Sequence, residues 1–196
     1  MTVMLSTWRG RILSKRPAAM LLCLLTTHCA TLPRQQPAAL PPGVYGIYED
    51  NDVGAINQSS WALAETARLR GNPVEAIKAV LAVDYLSDEL AANPRWLLIS
   101  PIAKQHMLEA RADIRRLMGI APTAPSQLVA NALLQTLSAL QSGDHAAVVL
   151  ALAQPVFTLT PDQTLQILTD MPYVRSANIA TSEAATDALF EGDHRR

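Results

Sequence analysis

Apolar residues recur along most of the chain at the spacing of an amphipathic helix. Ala103, Met107, Ala110, Ile114 and Leu117 advance in steps of three and four residues, which keeps them on one helical face. No run alternates convincingly between polar and apolar positions, so strand content should be close to zero. The pattern therefore predicts an all-α fold. The predicted helices cover roughly residues 54–70, 73–92 (with a break near Ser87 left open), 101–118, 125–142, 144–154, 161–171 and 176–190.

Residues that cap helices stand where these segments begin and end. Asn72 and Thr160 each precede a proline and lie three residues before Glu75 and Gln163, the arrangement of a capped helix N-terminus. This local chemistry fixes the predicted boundaries more firmly than periodicity alone. Further predicted starts are Ser100 and Asp144, and the predicted helix ends are Gly71, Gly119 and Gly143.

The segment from His145 to Ala153 (HAAVVLALA) is apolar on every side apart from His145. A surface helix of this length would be amphipathic. We therefore predict a short central helix that is buried, with Leu150 enclosed.

Two predicted helical hairpins share their spacing, around Gly71 in ETARLRGNPVEAIKAVLAV and around Gly143 in LSALQSGDHAAVVLALA. The first stretch resembles a tetratricopeptide repeat over about 30 residues. Asp88 stands where the motif has a proline. Two copies are fewer than a solenoid needs. The resemblance implies an irregular, tetratricopeptide-like helical-hairpin domain of about six to seven helices. The motif positions that hold apolar or small residues are Leu63, Ala64, Gly71, Ala76 and Val80.

The first 43 residues differ in composition from the rest. A basic stretch at 9–16 precedes an apolar run of 10 residues at 18–27, which is too short for a bilayer core of about 30 Å and suits the apolar region of an export signal. A buried or interfacial helix is the alternative. Residues 33–43 (PRQQPAALPPG) contain four prolines and predict an extended tether without core contacts. We expect a signal peptide over 1–28, a Pro-rich tether over 29–43 and the helical domain over 44–196.

The segment LLTTHCATLP resembles the end of a bacterial lipoprotein signal peptide. In that family a Leu and two small residues precede a Cys that is lipidated and becomes the new N-terminus. Cys29 holds that place here, after Thr26 and Thr27, with His28 where the family has Gly, Ala or Ser. Cleavage after a small-x-small sequence is the alternative. The resemblance implies lipidation of Cys29 and anchoring on the periplasmic side of the bacterial envelope, which two acyl chains would make stable.

Charge and cysteine usage exclude several classes of function. The chain has 16 Lys and Arg against 17 Asp and Glu, and cleavage before Cys29 would remove four of the basic residues, so the domain is mildly acidic. Nucleic acids are excluded as primary partners because phosphate neutralisation needs clustered cations. The two cysteines are Cys23 and Cys29, so the predicted domain has no disulfide, thiolate nucleophile or Cys-ligated metal.

No catalytic, cofactor or metal site is predicted. His106, His145 and His194 do not fall at metal-ligand spacing. Ser142, Asp144 and His145 are near neighbours at a helix start and project in different directions, so capping is the preferred role for Ser142 and Asp144.

Charged residues of the third predicted helix are expected on its solvated face. Glu109 and Asp113 share a face, with Arg111, Arg115 and Arg116 close by, so surface ion pairs are expected. An anion site near the helix C-terminus is the alternative reading.

These observations favour a noncatalytic, lipid-anchored binding or scaffold protein that offers a helical groove to a protein or peptide. Trp61 and Trp96 are expected in the core; exposure of both would indicate a partner groove. The alternative is a periplasmic hydrolase or polysaccharide-acting enzyme whose carboxylates come from different helices. Carboxylates facing one pocket would favour the enzyme, and a groove without titratable groups would favour the binder. A structural accessory subunit with a large exposed apolar patch is a third class.

Overall fold

Seven α-helices form the part of the chain that the computed structural model describes, which is residues 36–48 and 50–194, with side chains as far as 190. All of these residues fall in one compact unit. Within it there is no strand beyond an isolated bridge between Ile120 and Phe157, which confirms the all-α prediction. None of the described helices is both long and apolar enough to cross a membrane. The helices are α1 (Asn51–Ala64), α2 (Pro73–Ala92), α3 (Pro101–Met118), α4 (Ser126–Ser142), α5 (His145–Leu152), α6 (Pro161–Thr169) and α7 (Arg175–His194), with short 3-10 turns at Thr66–Arg68 and Pro94–Trp96.

The predicted caps set most of the helix ends. The prediction that the first helix runs over 54–70 and ends at Gly71 is wrong, because Glu65 is extended and ends α1 at Ala64. The Asn72 side chain accepts a hydrogen bond from the Glu75 N–H at 3.3 Å, and Thr160 forms a reciprocal capping box with Gln163. Gly119 ends α3 in the left-handed region, with φ 65°, where a side chain would be strained. Helix α2 runs unbroken through Ser87, near which the sequence allows a break.

Helix α2 is the central helix of the domain. Every residue from Ala79 to Leu90 is buried, because α2 packs against α1, α3, α4 and α6. Helix α7 lies along α1 and α3, and α5 packs between α4 and α6 at the periphery.

The prediction that α5 is buried is wrong. Of its residues, only Val148, Ala151 and Leu152 are buried, and the Leu150 side chain is 73% exposed. Helix α5 packs mainly against α4 and α6, so one side stays open to solvent although its residues are apolar.

The prediction that the tether makes no core contacts is wrong for its described part. Ala38 is only 5% exposed and belongs to the core. The Ala39 N–H donates to Gln127 Oε1 at 2.7 Å, and Asn51 Nδ2 donates to the Leu40 carbonyl oxygen at 3.1 Å. An extended backbone leaves its N–H and C=O groups unpaired, and side-chain amides of α1 and α4 satisfy them here.

Four helices share one end, which we call the proximal end: α1 and α3 start there, and α2 and α7 run towards it. Asp50, at the start of α1, lies 2.5 Å from Arg95, which follows α2. The N–H of Ser100, before α3, donates to Asp187 of α7 at 2.9 Å. Residues 36–43 join α1 at this same end through Asn51.

Candidate functional site

A buried ion-pair network joins α2 to α3. Arg115 holds Asp84 through two hydrogen bonds, Nε to Oδ1 at 2.5 Å and Nη2 to Oδ2 at 3.0 Å. Arg111 donates to Asp88 at 2.8 Å, and the Ser126 hydroxyl donates to the other Asp88 oxygen at 2.5 Å. Because each buried carboxylate has a guanidinium partner, the network is neutral and hydrogen-bonded.

The expectation that the arginines of α3 lie together on a solvated face is therefore wrong for Arg111 and Arg115. The Arg115 residue is 2% exposed, whereas Arg116 is exposed and pairs with Asp113 at 2.7 Å. Hydrogen bonds from Ser176 and Arg116 hold the pKa of Asp113 below its usual range. All three guanidinium groups line a cavity of about 490 Å³, but each already has a carboxylate partner, so the cavity does not favour an anion.

A second buried cluster surrounds Asp52 in the first turn of α1. The Asp52 carboxylate accepts hydrogen bonds from the Tyr85 hydroxyl, from Trp96 Nε1 at 3.1 Å and from Arg95 Nη1 at 3.4 Å. The Arg95 guanidinium also lies over the Trp96 ring, 4.6 Å from its centroid, in a cation–π contact. Trp96 is 3% exposed, which confirms its predicted place in the core.

Glu89 extends this cluster from α2. It is 7% exposed and accepts a hydrogen bond from Asn93. Burial, with the nearby charge of Asp52 adding to it, raises the pKa of Glu89. Burial works in the same direction on Asp50, but hydrogen bonds from Arg95 and the backbone outweigh it and lower the pKa of Asp50.

Carboxylates from different helices thus come together, as the enzyme alternative requires. Asp52 and Glu89 are each 7% exposed, however, and both Asp52 oxygens and Oε1 of Glu89 already accept hydrogen bonds from donors of the fold. A general acid or base must come within hydrogen-bond reach of its substrate. The arrangement instead resembles a buried hydrogen-bond network that holds α1 against α2.

An open cleft, the α1 cleft, runs along the outer side of α1 with a volume of about 440 Å³. Trp61 borders it and is 48% exposed, so the prediction that Trp61 is a core anchor is wrong. The Arg68 guanidinium lies 5.3 Å from the ring centroid and donates to the Trp61 carbonyl oxygen at 2.5 Å, taking the place of core packing. The described residues that line the cleft are Tyr48, Asn57, Gln58, Ser60 and Trp61.

The chemistry of the α1 cleft is polar but not acidic or basic. Asn57 donates its amide N–H to the Val53 carbonyl at 2.9 Å, and Gln58 donates to Glu75. Both amide oxygens are left to accept hydrogen bonds from a bound group. No carboxylate, imidazole or thiol is among the described residues that line the cleft.

His106, Ser176 and Asp144 make contacts within the fold. His106 Nδ1 lies 2.7 Å from Glu183 of α7. Ser176, which shares a small cleft with His106, donates to Asp113 at 2.7 Å rather than to the imidazole. Asp144 caps α5, as predicted. No group of three potential metal ligands occurs among the described side chains.

Cys29 and the predicted signal peptide lie outside the described residues, so lipidation of Cys29 stays a prediction. No protein-family model matches the chain, and no curated protein or solved structure matches it. The resemblance to tetratricopeptide repeats likewise stays a prediction.

Proposed function

We propose that this chain is an exported, lipid-anchored, noncatalytic binding protein of the bacterial envelope, which holds a protein or peptide partner in the α1 cleft. The observation that carries the proposal is the half-exposed Trp61 beside a cleft whose described lining has no carboxylate, imidazole or thiol. Partner grooves of this kind draw most of their affinity from a few large aromatic anchors.

The size and polarity of the α1 cleft suit a short uncharged segment. Its volume of about 440 Å³ falls within the range of about 300–1,000 Å³ that ligand sites usually have. The ring of Trp61 supplies apolar contact area, and the amide oxygens of Asn57 and Gln58 can accept N–H groups from a peptide backbone. Arg68, stacked on the ring, already holds Trp61 in one orientation, which lowers the ordering cost of binding.

One observation favours the alternative, a periplasmic hydrolase or polysaccharide-acting enzyme: the raised pKa of Glu89 next to Asp52. Raised carboxyl pKa values are common at catalytic sites. Access to this pair would require the start of α1 to separate from α2, breaking the Tyr85–Asp52 and Trp96–Asp52 hydrogen bonds. We therefore place it second.

Site-specific photo-cross-linking tests the partner site. A photoreactive amino acid at Asn57, in the cleft, is compared with one at Ser138, on the exposed side of α4, in the full chain expressed in bacteria. We expect a discrete adduct from position 57 and none from 138. Loss of an aromatic hot spot should weaken the 57 adduct about tenfold in Trp61→Ala. Equal labelling at both positions, or an adduct indifferent to Trp61→Ala, would refute the site.

Metabolic labelling with palmitate tests the anchor separately. The wild-type chain should incorporate label and Cys29→Ala should not. Equal labelling of the two, or label in neither, would refute lipidation of Cys29 and leave an exported or signal-anchored protein.

A further inference from the structure

Large apolar side chains are exposed together at the proximal end. Of the eleven exposed large hydrophobic side chains in the described part of the chain, six belong to segments that lead into or out of this end. The contact between Ser100 and Asp187 brings the start of α3 and the last turns of α7 side by side. We call these six residues the proximal patch: Ile47 (93% exposed), Leu97 (75%), Leu98 (63%), Ile102 (66%), Leu189 (76%) and Phe190 (65%).

The first described residues of the chain, 36–41, join the domain beside this patch. The carbonyl oxygens of Leu40 and Pro41 accept hydrogen bonds from Asn51 at the start of α1. Next to Asn51, Asp50 pairs with Arg95, two residues before Leu97. The residues that follow the predicted anchor and the patch therefore occupy the same end of the domain.

The length of chain limits how far this end can stand from an anchor. Nine peptide steps separate Cys29 from Ala38, the first buried residue described. At about 3.5 Å a step they span at most about 30 Å. An anchor at Cys29 would thus hold the proximal end permanently close to the lipid surface, which raises the effective concentration of lipid at the patch.

We infer that the proximal patch is a membrane-contacting surface that inserts into the interfacial region of the bilayer. This inference rests on the lipid-anchored function proposed above. Apolar side chains such as Leu and Phe are the ones that bury at the boundary of headgroups and acyl chains. Arg95, two residues before Leu97, is already paired with Asp50 and Asp52, so we expect the apolar side chains, and not this cation, to drive insertion.

Contact through the proximal patch would also orient the α1 cleft. Helix α1 starts at the proximal end, and Trp61 lies ten residues beyond Asn51. At 1.5 Å per residue this places Trp61 about 15 Å along the helix from the end that meets the lipid. The cleft would then be open to a partner beside the membrane and not covered by it.

Depth-dependent quenching tests the inference in the full lipidated chain, reconstituted in phosphatidylcholine vesicles. A fluorophore is placed on Leu98→Cys or on the control Leu150→Cys, which is exposed to a similar degree (73% against 63%) but lies on α5. We expect doxyl-labelled lipid to quench the label at 98 at least about twofold more than that at 150. High salt and dilution of the protein should leave this ratio unchanged.

Three other outcomes would overturn the inference. Equal quenching at 98 and 150 would show that the patch stays in water. Shielding of position 98 from aqueous iodide without quenching by doxyl lipid would show that a protein covers the patch, and loss of that shielding on dilution would identify a second copy. Fluorophore labelling of the parent chain, which carries neither substitution, distinguishes failure of the anchor from failure of the patch. The Cys29 thiol reacts with the fluorophore only if it is not acylated.

Discussion

Replacing Arg115 by Met should remove more stability than any exposed charge on the same helix. The substitution deletes the bidentate contact with Asp84 and the Nη1 donors to the carbonyl oxygens of Pro122 and Ala124, at 3.1 and 2.9 Å. Met conserves much of the apolar stem, so packing changes little. What remains is a buried carboxylate and two carbonyl groups that have lost a donor.

The magnitude follows from burial. Breaking a buried ion pair from one side typically costs about 3–5 kcal/mol, because the remaining charge is left uncompensated. Arg111, whose Nε lies 3.3 Å from Asp84 Oδ1, moderates that loss, while the carbonyl groups add to it. We expect a net loss of about 3 kcal/mol, a large fraction of the 5–15 kcal/mol that a domain of this kind usually has.

Urea unfolding followed by far-ultraviolet circular dichroism measures the loss, with Arg116→Met as the matched control. The Arg116 side chain is 75% exposed, so its replacement should cost less than about 0.5 kcal/mol. The double variant Asp84→Asn, Arg115→Met should lose at least about 1 kcal/mol less unfolding free energy than the sum of the two single losses, since it removes the uncompensated charge. If Arg115→Met costs no more than Arg116→Met, the buried network does not stabilise the fold.

Further predictions concern α5, Glu89 and α1. Leu150→Asp should change the unfolding free energy by less than about 0.5 kcal/mol, whereas Leu152→Asp, at a residue 1% exposed, should abolish cooperative melting; similar effects of the two would contradict the placement of α5. Because burial raises the pKa of Glu89, its ionisation costs stability as pH rises through that raised pKa. Glu89→Gln should therefore raise the melting temperature at pH 7 and leave it nearly unchanged near pH 4, and a shift of equal size at both pH values would disprove this. Gly54→Ala would place its Cβ 2.7 Å from Tyr45 Cβ and should cost about 1–3 kcal/mol in thermal melts, unlike Ser138→Ala on the exposed side of α4.

Helix boundaries were predictable where a capping residue marks them, because capping is local chemistry; the end of α1 at Ala64 has no such mark and was missed. Helices α2 and α3 begin and end where the sequence predicts, since Asn72, Ser100 and Gly119 act within one turn of their own position. Burial is different, because neighbours distant in sequence decide it. The apolar composition of α5 could not reveal that α4 and α6 cover just one side of it.

The buried networks were partly visible in the sequence. Asp84 and Asp88 on α2 are four residues apart, as are Arg111 and Arg115 on α3, which places two matched pairs of charges on one face of each helix. The expectation that the arginines of α3 lie on the surface overlooked this matching spacing of acidic and basic residues. The exposure of Trp61 could not be predicted from residue spacing, because Arg68 rather than the core covers its ring.

The enclosure of α2 has a consequence for how the chain reaches its native state. Its partners lie on both sides of it in sequence, with α1 before and α3, α4 and α6 after. The last described helix, α7, closes over α1 and α3. No contiguous half of the domain contains all the helices that bury α2. Partial chains would therefore expose an apolar helix that is prone to association. We expect the domain to acquire its structure in a single late step, after α7 has been synthesised, and to depend on protection from aggregation until then.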